Sequence, residues 1–216
     1  MAREEGEVTD GTRRVPGATV PDDELVRRQD ALQAEAAEVL ADLRLMDAFS
    51  TVGQPVQDGS SAYGLMVWRD IDMSVACPRL SPAAVFAAAA PLAAHPRVQR
   101  LLFRNETGGF NSLPDEPEAI YWGIRYVTDA GEEWTLDVWF FTEGESWPSR
   151  TRLETLPPQL TAETRLAILT LKDRWRGEPE FHATVLSVDV YDAVLEHGVR
   201  APEEFERYLR QRGKLT

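Results

Sequence analysis

The chain has 216 residues and a formal net charge of −13, with 43% hydrophobic and 27% charged residues, which is ordinary globular composition for one domain with an appended helical lobe. The acidic balance argues against a generic nucleic-acid or anionic-membrane binder. One cysteine, Cys77, and three scattered histidines, His95, His182 and His197, exclude an intramolecular disulfide framework and a multi-thiolate or histidine-rich metal site, and point to a reducing, cytoplasmic address.

Residues 1–21 mix acids, arginines and glycines without an apolar run, so they are expected to form a disordered tail and read as neither signal peptide nor anchor. A catalytic core is expected over 22–150 and a helical lobe over 151–216. Pro21-Asp22-Asp23-Glu24 reads as a helix start, and Leu25, Leu32, Ala36, Val39, Leu40 and Leu43 predict one amphipathic helix over 23–48. Thr51 to Asp58 leads into a Gly59-Ser60-Ser61 turn, an apolar run over Ala62 to Val67, and a strand over 68–76. Ser81-Pro82 reads as an N-cap with proline in the first turn, and the alanine-rich segment continues that helix to His95. That segment is too short to span a bilayer, so no membrane role is indicated.

Val98 to Arg104, Ile120 to Thr128 and Trp134 to Phe141 read as strands, the last two joined as an antiparallel hairpin by Asp129-Ala130-Gly131. Leu113 to Glu118 is expected as an exposed loop. From Pro157 the pattern turns helical: Thr161 to Arg176, Val185 to His197 closed by Gly198, and Pro202 to Arg212 closed by Gly213. The order predicts an α+β fold, a mixed sheet flanked by helices with a C-terminal helical lobe.

The candidate chemistry lies on the strands. Asp70 and Asp72 sit at i and i+2, so both carboxylates point to one face and can share a hard cation. Acid-x-acid pairs abound in so acidic a chain, but this one lies in an apolar strand, Ile71, Met73, Val75 and Ala76, where an uncompensated charge costs several kcal/mol. Asp137 repeats the pattern within Trp134 to Phe141. The alternative is that these acids are solvated at strand ends or pair with Arg69 or Arg125. Gly59-Ser60 adds a turn in which glycine lets backbone approach a phosphate and a hydroxyl can bind its oxygens.

Gly59-Ser60, Gly64, Asp70-Ile71-Asp72 and Asp137 together resemble the DNA polymerase β-like nucleotidyltransferase superfamily, over roughly 35–145. Ser61 stands where the family usually has arginine, and Leu65-Met66-Val67-Trp68 is apolar where the family is more often polar. The resemblance implies a nucleotidyltransferase-like sheet, an NTP donor, and two Mg²⁺ ions. Asp70 and Asp72 would bind both metals, and Asp137 would bind the catalytic metal and help deprotonate the acceptor. Gly59, Ser60 and Ser61 would contact the nucleotide. The expected reaction is transfer of a nucleoside monophosphate to a hydroxyl or phosphate of a small molecule or protein.

Arg165, Lys172 and Arg176 form one stripe on the predicted helix 161–176, either facing the cleft or forming the solvated face such stripes usually make; Lys172 is the candidate nucleotide ligand from it. Trp68, Tyr121, Trp122, Trp134, Trp139 and Phe140 are expected mostly in the core, with Tyr63 a candidate for base stacking. Arg104, Asn105 and Glu106 end a strand and either line an acceptor pocket or form a plain loop. Cys77 reads as an inert buried thiol. The rival from another class keeps the fold without turnover, as a nucleotide-sensing or partner-binding module. A nucleotide-sugar glycosyltransferase ranks last, because too little chain precedes Asp70 for its nucleotide-binding half.

Overall fold

The computed structural model describes residues 22–111, 117–144, 155–181 and 183–215. The tail over 1–21, most of the loop expected over 113–118 and the expected boundary at 150/151 lie outside the described residues.

The long N-terminal helix divides. α1 spans Asp22–Leu43 and α2 spans Leu45–Ser50, because Arg44 takes left-handed backbone with φ 49°. That break turns Leu45 and Phe49 inward; both are fully buried. The alanine-rich helix, α4 (Pro82–Ala89), is capped by Ser81 and gives way to a 3₁₀ turn over Ala90–Ala94 rather than continuing to His95. Pro91 lies in that turn and has no N–H to give an α-helical bond.

Among the described residues, five strands form one sheet in the order β1-β2-β5-β4-β3. They are β1 (Gln54–Asp58), β2 (Asp70–Cys77), β3 (Val98–Glu106), β4 (Ala119–Val127) and β5 (Glu133–Thr142). β2 pairs with β5 in parallel and every other pairing is antiparallel. The expected hairpin is present as β4 and β5, with Gly131 at φ 82° in its turn. β1 carries Pro55, which an edge strand tolerates because one side of its ladder is open. The mixed α+β class expected from the sequence is the one observed.

Strand alternation separates two faces. One carries Ile71, Met73 and Val75 of β2, Leu136, Val138 and Phe140 of β5, and Ile120, Trp122 and Ile124 of β4, packed with Leu32, Ala36, Val39 and Leu43 of α1. Phe49 meets Phe140 edge to face at 5.0 Å, tying α2 to the middle of the sheet. A second cluster is helical: α5 (Ala162–Trp175), α6 (Ser187–Leu195) and α7 (Pro202–Gln211) enclose Ile168, Leu171, Val190, Val194, Phe205 and Leu209. Thr161 and Thr164 cap the start of α5 reciprocally, and Gly198 and Gly213 follow α6 and α7 with positive φ. Leu65 belongs to this helical cluster, so the segment leading into β2 is held by the lobe. No described helix is long and apolar enough to cross a membrane.

Phe140 is fully buried at the centre of the first cluster. Phe140→Ala is expected to lower unfolding stability by about 3–5 kcal/mol, measured as a reduced denaturant midpoint.

Candidate active site

The face of the sheet opposite the large core carries the three predicted acids. Register aligns Asp58 of β1, Asp72 of β2, Asp137 of β5, Gly123 of β4 and Leu102 of β3 in one row. Asp70, Thr135, Arg125 and Arg100 form a neighbouring row on one side. Ser74, Trp139, Tyr121 and Arg104 form the row on the other. Strand geometry therefore brings Asp70, Asp72 and Asp137 to one face, as their spacing predicts. Neither arginine proposed as an alternative partner is used. Arg69 pairs with Glu35 and Glu132, and Arg125 pairs with Glu133.

Burial dominates the energetics, and charge crowding adds to it. Burial, followed by the nearby Asp137 charge, raises the Asp70 carboxyl to about 6, although the Trp68 side chain hydrogen bonds to it. Burial, followed by the charges of Asp70, Asp137 and Asp58, raises Asp72 to about 8. The compensating cation is Lys172, whose own ammonium is lowered to about 8 by burial, against the pull of Asp70 and Asp72.

Lys172 is fully buried. Its Nζ donates to the Leu65 carbonyl at 2.8 Å and lies 4.5 Å from the centre of the Trp68 ring. The stripe expected as either a solvated or a cleft-facing surface does something else. Arg165 Nε donates to the Gly64 carbonyl at 2.9 Å and Arg176 Nη1 to the Val67 carbonyl at 3.3 Å, so Arg165 and Lys172 of α5 and Arg176 at its C-cap grip the backbone that leads into β2. Lys172 is correspondingly an internal counter-charge to the acids; with no exposed surface it does not stand as a ligand for a nucleotide phosphate.

The Gly-Ser segment is the short helix α3 (Gly59–Tyr63), N-capped by Asp58 and ended by Gly64 at φ 70°. Asp58 is buried and fully engaged. Its Oδ1 accepts from the Gly59 N–H at 2.6 Å and the Tyr63 hydroxyl at 3.1 Å, and its Oδ2 from the Ser74 hydroxyl at 3.0 Å. Gly59 has φ 60°, and a Cβ there would lie 1.9 Å from Asp72 Oδ2. Glycine is thus required for the turn to close against the carboxylate. Ser60 is buried. Ser61 is completely so, its hydroxyl donating to the Asp58 carbonyl at 3.2 Å and its own carbonyl accepting from Gln33. Ser61 therefore supports the turn rather than presenting a hydroxyl to a phosphate. Tyr63, proposed for base stacking, spends its hydroxyl on Asp58.

Three features escape a reading of the chain alone. Asp58 looks like a loop acid, and its signal is an Asx residue placed immediately before Gly59-Ser60, the position of an N-cap. Tyr121 and Trp139, expected in the core, stand half-buried on the acid-bearing face, their ring centres 4.8 Å apart. The Tyr121 hydroxyl donates to Asp137 Oδ1 at 2.5 Å. The phenol reaches that far because Gly123 lies beneath it; a Cβ at 123 would fall 2.6 Å from the Tyr121 hydroxyl oxygen. Cys77 is buried and free, its thiol pushed up to about 11 by burial, in keeping with an inert role.

As donors, Asp70, Asp72 and Asp137 offer only carboxylate oxygens, the set magnesium takes together with substrate phosphates. Their excess negative charge over the single internal ammonium is what a divalent cation would cancel. Among the described residues, no three His, Cys, Asp or Glu side chains are gathered closely enough to hold an ion as they stand, and Asp137 is instead engaged by Tyr121.

No family model matches the chain, and no curated protein matches it. Among solved structures, a chain of the E. coli MS115-1 CdnC:HORMA-deltaN complex is similar over 88% of this chain and 63% of its own, with 14% identity and a TM-score of 0.39. This chain thus spans less than two thirds of the length of that one. Similarity at that level assigns no activity, and the functional case is carried by the site.

Gly59→Ala is expected to cost at least about 1–2 kcal/mol from left-handed backbone alone, with the Asp72 contact adding to it; chemical denaturation measures the loss. In chelator, the folded state holds protons on Asp70 and Asp72 at pH values where the unfolded chain, near 3.8, has released them. Stability is therefore expected to fall as pH rises from about 4 to about 8, and Asp72→Asn to flatten that slope in denaturant titrations run across the window.

Proposed function

We propose that this face is a nucleotidyltransferase centre that moves a nucleoside monophosphate from an NTP to a hydroxyl, or a phosphate, of a small-molecule or protein acceptor, with release of pyrophosphate. The observation that carries the reading is the row in which Asp72 and Asp137 stand opposite one another on parallel strands, with Asp70 one step away and the Gly59 turn in contact with Asp72. The mutual repulsion of these carboxylates, only partly offset by the single buried ammonium of Lys172, opposes folding, and a divalent cation would relieve it.

Asp70, Asp72 and Asp137 are the residues that would hold magnesium. When bound, that metal supplies charge neutralisation for the triphosphate and a Lewis acid at the transferred phosphoryl group. The chain's own part is positioning. Tyr121 occupies Asp137 Oδ1, leaving Oδ2 as the oxygen to which an acceptor hydroxyl is delivered. In the transfer, the acceptor oxygen forms a bond to the α-phosphorus and its proton passes to Asp137. The bond from the α-phosphorus to the bridging oxygen breaks, and the electron pair leaves on pyrophosphate. The Gly59–Tyr63 turn fixes Asp72 by direct contact, and Lys172 offsets the charge on Asp70 and Asp72 from within.

A second reading, a nucleotide-binding module without turnover, draws on a specific observation: Ser61 and Lys172, both expected to touch the nucleotide, are buried. Calorimetric titration with non-hydrolysable ATP, GTP, CTP and UTP analogues, each with and without Mg²⁺, tests both. The transferase reading expects Mg²⁺-dependent binding of at least one analogue, lost in Asp70→Ala, and pyrophosphate release from the matching NTP that disappears in Asp72→Ala. Binding without pyrophosphate release favours the module, and no binding of any analogue overturns the transferase.

A further inference from the structure

The acid-bearing face changes character along the sheet. On β1 and β2 it is carboxylate; on β3 and β4 it presents Arg100, Arg104 and Arg125, with Tyr121 and Trp139 beside them. The Arg104 guanidinium lies 5.0 Å above the centre of the Tyr121 ring and 5.5 Å above that of Trp139, and its side chain is still 44% exposed. Glu106 pairs with its Nε at 3.1 Å. A guanidinium near two rings is held by cation–π attraction, and the exposed part of this one remains open to a flat ligand. Through the Tyr121 hydroxyl this shelf is wired directly to Asp137, the carboxylate that meets the acceptor.

We infer that Arg104, Tyr121 and Trp139 form the acceptor subsite, and that it takes an acceptor built on a planar aromatic or heteroaromatic ring carrying the hydroxyl to be modified. The inference rests on the proposed transferase reading and names its substrate class. Ring and guanidinium stack face to face, whereas a saturated sugar or polyol has no π-face to offer. Glu106 pairs with Arg104 and Glu133 with Arg125, so the shelf carries little net charge and selects by the flatness of the ligand. The contact between Tyr121 and Asp137, made possible by Gly123, sets the spacing between the stacked ring and the base. Arg104, Tyr121 and Trp139 are accordingly specificity-determining, with Tyr121 also a positioning residue for Asp137.

The test is calorimetric titration of the full chain with three probes: adenosine as the planar, hydroxyl-bearing ligand, myo-inositol as a saturated neutral polyol, and spermidine as a saturated cation. Adenosine is expected to bind the wild type, to bind about tenfold more weakly to Arg104→Ala and Trp139→Ala, and to bind Asp70→Ala as it binds the wild type; circular dichroism of each variant confirms folding. Arg104→Lys keeps the charge and loses the flat stack, and is expected to resemble Arg104→Ala. Preference for inositol or spermidine, absence of adenosine binding, or adenosine binding indifferent to Arg104 overturns the assignment. Because Mg²⁺-dependent binding of an NTP analogue depends on Asp70 and not on Arg104, that titration can succeed while this one fails, and the two readings fall separately.

Discussion

Everything in the site depends on a lysine that has been taken out of water. An ammonium with no exposed surface is tolerated only where a carbonyl, an aromatic face and negative charge converge on it, and Lys172 has all three in Leu65, Trp68 and the pair Asp70 and Asp72. The converse holds too: the two aspartates enter an apolar strand because that cation approaches from the lobe. Arg165 and Arg176 extend the same grip along the connecting segment, so the helical lobe and the start of β2 are one mechanical unit. Arg28 of α1 reaches Asp173 of α5 and closes the unit from behind. The lobe is therefore part of the electrostatics of the sheet and not an accessory packed beside it.

The two faces of the sheet divide the work. One is a continuous apolar surface under α1, α2 and α4, and it fixes the strands relative to each other. The other is polar and ordered by register into an acidic half and an arginine-and-aromatic half, with Asp137 at the seam. Asp58 stands at the acidic edge as a buttress, fully hydrogen bonded, holding the Gly59 turn against Asp72 without taking part itself. A group carrying phosphates and a group carrying a flat ring would thus meet opposite ends of one surface.

Much of this was legible in the chain because its signals are local. Period-two alternation places Asp70, Asp72 and Asp137 on strands, Ser81-Pro82 starts α4, and Asp129-Ala130-Gly131 turns the hairpin. What stayed hidden depends on partners distant in sequence. Alternation shows that Tyr121 and Trp139 share a face but not which face is buried. Nothing in the spacing of Arg165, Lys172 and Arg176 reveals that their acceptors are backbone carbonyls of 64–67. β1 escaped because proline and glutamine mask a short edge strand, and the break at Arg44 because a single left-handed residue leaves the hydrophobic pattern of α1 and α2 almost in phase.

The parallel pairing within the sheet, β2 with β5, has a bearing on how the chain reaches this state. β3, β4 and β5 are an antiparallel meander between sequence neighbours, and β1 and β2 form their own antiparallel pair around α3. Joining the two pieces closes a long loop, whose entropy cost must be met before the contacts that reward it are made. That same closure brings Asp72 face to face with Asp137. This non-local seam of the sheet is thus also the seam where like charges are pressed together, so an ion or a proton that quiets the repulsion favours its closure.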